Sequence, residues 1–370
     1  MIIKKLSFDN FRNLEAGEIY PDSGINVIYG NNAQGKTNLL EALWLFTGGH
    51  SFRGNKDKEL PRLIDGVNSL YCKLSADFYS FKREQNAEII IKDGKKTCSL
   101  NGIGNKSAAY LVGKICAVIF SPEHLDLIKE GPSKRRAFID AAICQIKPSY
   151  ASILSKYNRV VTQRNALIKE LFKNPYLSDT LDIWNERMAS LGSDIINERL
   201  KYIEALKPYV KDIYSGMSSE KEKLDLDYIC SFNTKNDGDI YTSFRKALDE
   251  AYKSDVNQGF STVGPHRDDL ALFIDNKSVR SFGSQGQQRS CVLSLKLSEA
   301  KMLEKSVGEA PIILLDDVMS ELDNKRQDYL LNHLTDKQVF ITCCSPETVN
   351  LLKKGKTFYM ENGEVIKKDL

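Results

Sequence analysis

The run Gly30-Asn31-Asn32-Ala33-Gln34-Gly35-Lys36-Thr37 fits G-x-x-x-x-G-K-T and directly follows the apolar run from Ile25 to Tyr29. A loop of this kind works only between a buried strand and a helix, so it commits the chain to an α/β fold and its ligand to a nucleoside triphosphate. Its glycines let backbone N–H groups approach phosphate oxygens, Lys36 compensates β/γ charge, and the Thr37 hydroxyl can ligate Mg²⁺. The stretch from Asn38 to Phe46 continues as a helix whose N-terminus faces the phosphates.

The 370 residues are enough for two compact units, and 42% hydrophobic content supports ordinary globular cores. A net charge of +3 from 52 basic and 49 acidic residues neither points to DNA nor excludes it, because local patches decide. The charged start Met1-Ile2-Ile3-Lys4-Lys5 does not read as a signal peptide, and no stretch approaches ~18 uncharged apolar residues. The expectation is a soluble cytoplasmic protein with no membrane partner. The eight cysteines form no C-x-x-C pair and mostly lie in apolar runs, as reduced core thiols do, and the four scattered histidines give little support to a zinc site.

Strand-like segments gather towards both ends: Ile2 to Phe8, Ile25 to Tyr29, Tyr71 to Phe81, a pair around Asp93-Gly94 and Lys114 to Phe120, then Ile312 to Leu315, Val339 to Cys343, and a hairpin from Thr357 to Ile366 turning at Asn362-Gly363. Between them, Leu154, Tyr157, Val161 and Ile168, then Trp184, Met188, Leu191, Ile195 and Leu206, recur near helical spacing on either side of a turn containing Pro175. Two antiparallel helices forming an arm are expected. The organisation predicted is a discontinuous head of residues 1–140 plus 255–370, with an inserted helical lobe at 141–254.

The apolar run from Pro311 to Leu315 ends in Asp316-Asp317, two carboxylates at the C-terminal edge of a buried parallel strand, where α/β ligands bind. Asp316 is the Mg²⁺-side group and Asp317 the one able to activate an attacking water. Asp323 stands in Ser320-Glu321-Leu322-Asp323. Upstream, Ser284-Gln285-Gly286-Gln287 opens a helix, and such a small-residue loop offers a hydroxyl and free N–H groups to an anion.

P-loop, Ser-x-Gly-x-Gln loop, Asp-Asp strand end and Ser-x-Leu-Asp follow one another in the order of ABC-type ATPases, which this chain resembles. The resemblance implies an ATP-dependent head-to-tail homodimer in which Ser284, Gly286, Gln287 and Asp323 of one subunit complete the nucleotide site of the other. Asn10-Phe11-Arg12-Asn13, Ser51-Phe52-Arg53, Phe120-Ser121-Pro122-Glu123, Gly131-Pro132-Ser133-Lys134-Arg135-Arg136 and Gly264-Pro265-His266-Arg267-Asp268-Asp269 together look like the RecF family, over essentially the whole chain. That likeness implies an ABC-type ATPase head with a short arm, using ATP and Mg²⁺, with weak ATPase activity. It implies binding of duplex DNA near single-strand gaps, and work with RecO and RecR to help load RecA. Arg12 becomes a candidate phosphate contact. Lys134, Arg135 and Arg136 are candidates for DNA, with Lys156, Arg159, Arg164 and Lys169 on the arm. His266 and Arg267 read as structural.

Two positions depart from the wider ABC pattern: no glutamine stands between Phe120 and His124, and the strand Val339 to Cys344 ends without a histidine. Slow hydrolysis is the expected consequence. The rival readings are an ABC subunit of a transporter, an SMC-type head partnered with a nuclease, and a scaffold that binds ATP without turnover.

Overall fold

Short apolar runs rich in Ile, Val and Leu are buried on both faces where they assemble side by side, which is how parallel strands are read. The computed structural model describes residues 1–366 apart from 55, 65, 66, 70, 172, 173, 219–221, 235–237 and 345–354. It divides the chain into two compact units, Met1–His124 with Leu293–Leu370, and Leu125–Val292.

In the first unit the central sheet runs in the order Ala117–Phe120, Ile312–Asp316, Val339–Cys343, Ile25–Tyr29, Lys356–Glu361, Glu364–Ile366. The first five strands are parallel, and the sixth returns antiparallel through Asn362-Gly363, both at positive φ as a tight hairpin requires. Register aligns Asp316 with Thr342 and Thr342 with Ile28, so the ends of three strands lie at one edge. The strand expected from Lys114 begins only at Ala117, because residues 108–114 are spent on a 3₁₀ helix and a turn closed by Lys114 N–H on the Leu111 carbonyl.

A second, antiparallel sheet contains Leu14–Ile19, Ile2–Phe11, Tyr71–Ser80, Arg83–Lys92, Lys95–Leu100 and Ile103–Lys106 in that order. The helix Lys36–Leu45 is buried around most of its circumference. Its Leu39, Leu40 and Leu43 share one core with Leu6, Phe8 and Leu74 of the antiparallel sheet and with Ile28, Leu314 and Phe340 of the parallel one. The P-loop helix is thereby locked from two sides.

The second unit is built on the helices Pro132–Ile146, Pro148–Glu170 and Ser178–Ser218, the last two packed together across the expected Pro175 turn. Ser178–Ser218 runs 41 residues and continues past Pro208, beyond Val210, at which the sequence reading ends the helical stretch. A small antiparallel sheet of Leu224–Ile229, Asp269–Ile274 and Lys277–Ser278 completes the unit, and the sequence reading did not anticipate it.

Buried cations tie this unit together. Arg164 donates to Asp255 and Ser261 at 2.7 Å and to Asn185 at 2.8 Å. Arg199 pairs with Asp140 and donates to the Pro265 carbonyl at 2.6 Å. His266 lies within the same framework: the Tyr157 hydroxyl stands 2.8 Å from its Nδ1, and its Nε2 faces the Ser261 carbonyl at 3.2 Å. Nε2 therefore carries the proton, and Nδ1 accepts from Tyr157. Arg267 donates to the same carbonyl and stacks over Phe260.

Burial pushes the His266 imidazole down from its usual 6.5 to about 4. The unfolded chain therefore takes up a proton first as pH falls, and stability present above about pH 6.5 is lost on the way to about pH 4. Between about pH 7.5 and about pH 5, urea unfolding of the natural chain should lose about 2 kcal/mol more than that of His266→Gln. Parallel pH profiles for the two proteins would contradict this.

Candidate nucleotide-binding site

The carboxyl edge of the parallel sheet opens into a cavity of about 420 Å³ lined by residues 32–38, Asn13, Arg53, Asp316, Asp317, Thr342 and Cys344. The loop above it is shaped by glycine. Gly30 and Gly35 have φ of 150° and 106°, and a side chain at Gly30 would meet the Met360 carbonyl at 2.3 Å. The loop is gripped from beneath: Gly363 N–H donates to the Gln34 carbonyl, and Asn13 Nδ2 donates to the Ala33 carbonyl at 3.2 Å.

Lys36 Nζ donates to the Gly30 and Asn31 carbonyls at 2.6 and 2.8 Å and lies 3.4 Å from Cys344 Sγ. These bonds hold the ammonium inside the loop curve, where a β/γ-phosphate would sit. The helix Lys36–Leu45 begins at Gly35 without a side-chain cap and with no acidic residue in its first turn, which leaves its N-terminal field to an anion.

Across the cavity, Asp316 Oδ1 accepts the hydroxyls of Thr37 and Thr342, each at 2.8 Å. Burial raises the Asp316 carboxyl above the usual range, and the two hydroxyls partly offset that. Asp317 follows in the left-handed region at φ 50°, a costly conformation for a non-glycine residue. It is held there by its N–H on Thr342 Oγ1 at 2.9 Å and by the Ser320 hydroxyl on its carbonyl at 2.8 Å. The half-buried Asp317 thus turns off the strand while Asp316 stays on it, and the two neighbouring carboxylates take up separate positions at the cavity wall.

Arg12 lies elsewhere. Its guanidinium is bidentate to the buried Glu41 at 2.8 Å for both bonds and reaches the Glu59 carbonyl, and it does not line the cavity. Glu41 also accepts the Ser51 hydroxyl, and Ser51 Oγ accepts the Arg53 N–H. Arg53 is the arginine that reaches the cavity, with its guanidinium on Asn38 Oδ1 at 3.0 Å. Asn13 and Arg53 stood inside recognisable sequence stretches without a role. Thr342 and Cys344 had no motif to reveal them.

Asp323 caps the helix Asn324–Asn332 by accepting the Arg326 N–H. In the second unit, Ser284 is exposed at the start of Gln285–Val307, two residues after the exposed Phe282. Gly286 and Gln287 lie in the first turn of that helix.

The basic candidates divide. Lys134 is exposed, as are Lys156, Arg159 and Lys169. Arg135 is buried and bidentate to Asp269 at 2.6 and 2.9 Å, and Arg164 is fully buried against Asp255, so both are framework residues and not surface phosphate contacts. Arg136 is half-buried and donates to the Asp268 carbonyl at 2.7 Å. The cysteines are all free thiols; Cys344 is exposed, and burial pushes the Cys343 thiol up to about 11.

A parallel sheet carrying a P-loop at one strand end and a Thr-linked carboxylate pair two strands away defines the chain as an ABC/SMC-type P-loop ATPase fold. Residues 2–367 match the RecF/RecN/SMC N terminal domain family. The DNA replication and repair protein RecF of Agathobacter rectalis is 40% identical over 367 residues, covering 99% of each chain, and that of Ruminiclostridium cellulolyticum is 39% identical over 97% of each. A solved structure of the recombination mediator protein RecF-ATP in the RecFOR pathway superposes with a TM-score of 0.91 at 38% identity, covering 100% of this chain and 98% of that one. An Smc head domain of Pyrococcus furiosus shares the fold alone, at TM-score 0.55 and 16% identity over 99% of this chain and 96% of its own. The chain belongs to the RecF family.

The Arg12–Glu41 pair yields a test independent of nucleotide. Arg12→Ala leaves a buried carboxylate without its cation and should lower the unfolding free energy by about 3 kcal/mol in urea at neutral pH. A loss below about 1 kcal/mol would show that Glu41 is satisfied without it.

Proposed function

We propose that this chain is an ATP-dependent DNA-binding protein of replication and recombinational repair. ATP with Mg²⁺ closes two copies head to tail on duplex DNA near single-strand gaps, weak hydrolysis reopens them, and with RecO and RecR the complex promotes loading of RecA. The observation that carries this reading is the joining of Thr37 to Asp316 at the wall of the P-loop cavity. It is supported by full-length likeness to proteins named for DNA replication and repair and to a structure named for RecF with ATP.

The donor set fits Mg²⁺. A hydroxyl and a carboxylate within 2.8 Å offer oxygen ligands only, and among the described residues no cluster of three or more His, Cys, Asp or Glu side chains could cage a metal. Such a pair suits a small hard cation that keeps waters and shares phosphate oxygens with the nucleotide. When bound, the ion would neutralise charge developing on the phosphates.

The protein's own residues supply the rest. Lys36 exchanges loop carbonyls for phosphate oxygens, the Lys36–Leu45 helix end adds its N–H groups, and Arg53 adds a second cation at the cavity wall. Asp317 orients and deprotonates the attacking water. Ser284, Gly286 and Gln287 of a second copy cap the γ-phosphate, so ATP touches both subunits only in the closed state and shifts the equilibrium towards it. Duplex binding through exposed lysines and arginines such as Lys134 is sequence-independent and weakens with salt.

Lys36→Ala should abolish ATP binding in a titration with labelled nucleotide; unaltered affinity would overturn the nucleotide assignment. Sedimentation of Asp317→Asn should show monomer converting to dimer on adding ATP and Mg²⁺, with turnover reduced by about two orders of magnitude or more. Ser284→Arg in that background should bind ATP yet stay monomeric, and a fully dimeric variant would remove the role across the interface.

A further inference from the structure

The Ser284 loop is anchored by a chain of hydrogen bonds that starts within its own motif and leads out of it to Glu222 and Tyr214. Gln287 Oε1 accepts the Ser284 N–H at 2.8 Å, and Ser284 Oγ accepts the Gln287 N–H at 3.3 Å, a reciprocal cap on the helix Gln285–Val307. With its oxygen turned back to Ser284, the Gln287 amide presents Nε2 in the other direction, where Glu222 Oε1 accepts it at 2.8 Å. The second Glu222 oxygen accepts the Tyr214 hydroxyl at 2.7 Å. Tyr214 is buried in the last turns of the 41-residue helix Ser178–Ser218.

The chemistry of the four groups fixes their order. A backbone N–H only donates and an ionised carboxylate only accepts, so Gln287, placed between Ser284 N–H and Glu222, has one satisfied orientation of its amide. Flipping it would set a donor against a donor at Ser284 and an acceptor against an acceptor at Glu222. Hydrogen bonds to a charged acceptor are the stronger kind, so Glu222 holds that orientation more firmly than a neutral residue would. Glu222 is half-buried and comes from the segment linking the long helix to the strand Leu224–Ile229.

We propose that Glu222 is a positioning residue for the Ser284 loop. Through Gln287 it holds the Ser284 backbone and hydroxyl ready for a nucleotide bound by a second copy of this chain, and through Tyr214 it ties that readiness to the long helix. A displacement of that helix would therefore be read at the loop as a change in ATP-dependent pairing. The inference rests on the head-to-tail reading above.

The test is sedimentation of Glu222 variants in the Asp317→Asn background with ATP and Mg²⁺, beside ATP affinity measured at protein concentrations too low for dimers. Glu222→Ala should weaken dimerisation about tenfold with monomer ATP affinity unchanged. Glu222→Gln, whose carboxamide oxygen can still accept from Gln287, should recover to within about twofold of the parent. Tyr214→Phe should weaken it about threefold. Dimerisation of Glu222→Ala equal to its parent, or Glu222→Gln as weak as Glu222→Ala, overturns the inference. If Glu222→Ala does not fold, Tyr214→Phe decides, and no change there overturns the relay. A parent that stays monomeric with ATP bound sinks the head-to-tail reading and this inference together, whereas a dimeric parent indifferent to Glu222→Ala sinks this inference alone.

Discussion

Everything at the nucleotide site depends on one pairing constraint: Val339–Cys343 is inserted, parallel and in register, between the P-loop strand and the strand ending in Asp316. Parallel neighbours end at the same edge, so this insertion delivers Thr37 and Asp316, 279 positions apart in sequence, to hydrogen-bonding distance. It also places the Thr342 hydroxyl between the Asp316 carboxylate and the Asp317 backbone, accepting from the Asp317 N–H and donating to Asp316 Oδ1. A shift of one residue would carry Thr342 to the other face of the sheet and separate all three.

Much of this was legible because it depends on local pattern. The apolar runs before Gly30 and Asp316 could hardly be anything but buried strands, and Asn362-Gly363 fixes its own turn through the positive φ that both residues adopt. The helices on either side of Pro175 announced themselves by periodicity. The ABC-type fold could be read from motif order, and the RecF likeness from the residues of five further motifs.

The rest turned on partners that lie far away in sequence. Arg135 stands in the tightest basic cluster, beside Lys134 and Arg136, yet its carboxylate is Asp269; Arg164 looks like a helix-surface cation, yet it meets Asp255 in the core. Charge type cannot reveal which cations have buried acids waiting for them. The same holds for arginines near the loop: Arg12 was drawn away by Glu41, whose burial no local pattern exposes, while Arg53 reached the cavity. The strands Leu224–Ile229 and Asp269–Ile274 are short and mixed in character, and they gain meaning only by pairing with each other.

The placement of the P-loop strand also bears on how the chain is made. Both of its neighbours in the sheet, Val339–Cys343 and Lys356–Glu361, are synthesised after more than 300 further residues. At roughly 5–20 residues per second, Ile25–Tyr29 leaves the ribosome on the order of tens of seconds before either pairing edge exists. The antiparallel sheet from Ile2 to Lys106 can close in that interval, since its strands are near neighbours in sequence, but the parallel sheet cannot. The nucleotide site is therefore among the last parts of the first unit to form, and the nascent chain must shield an apolar, unpaired strand until it does.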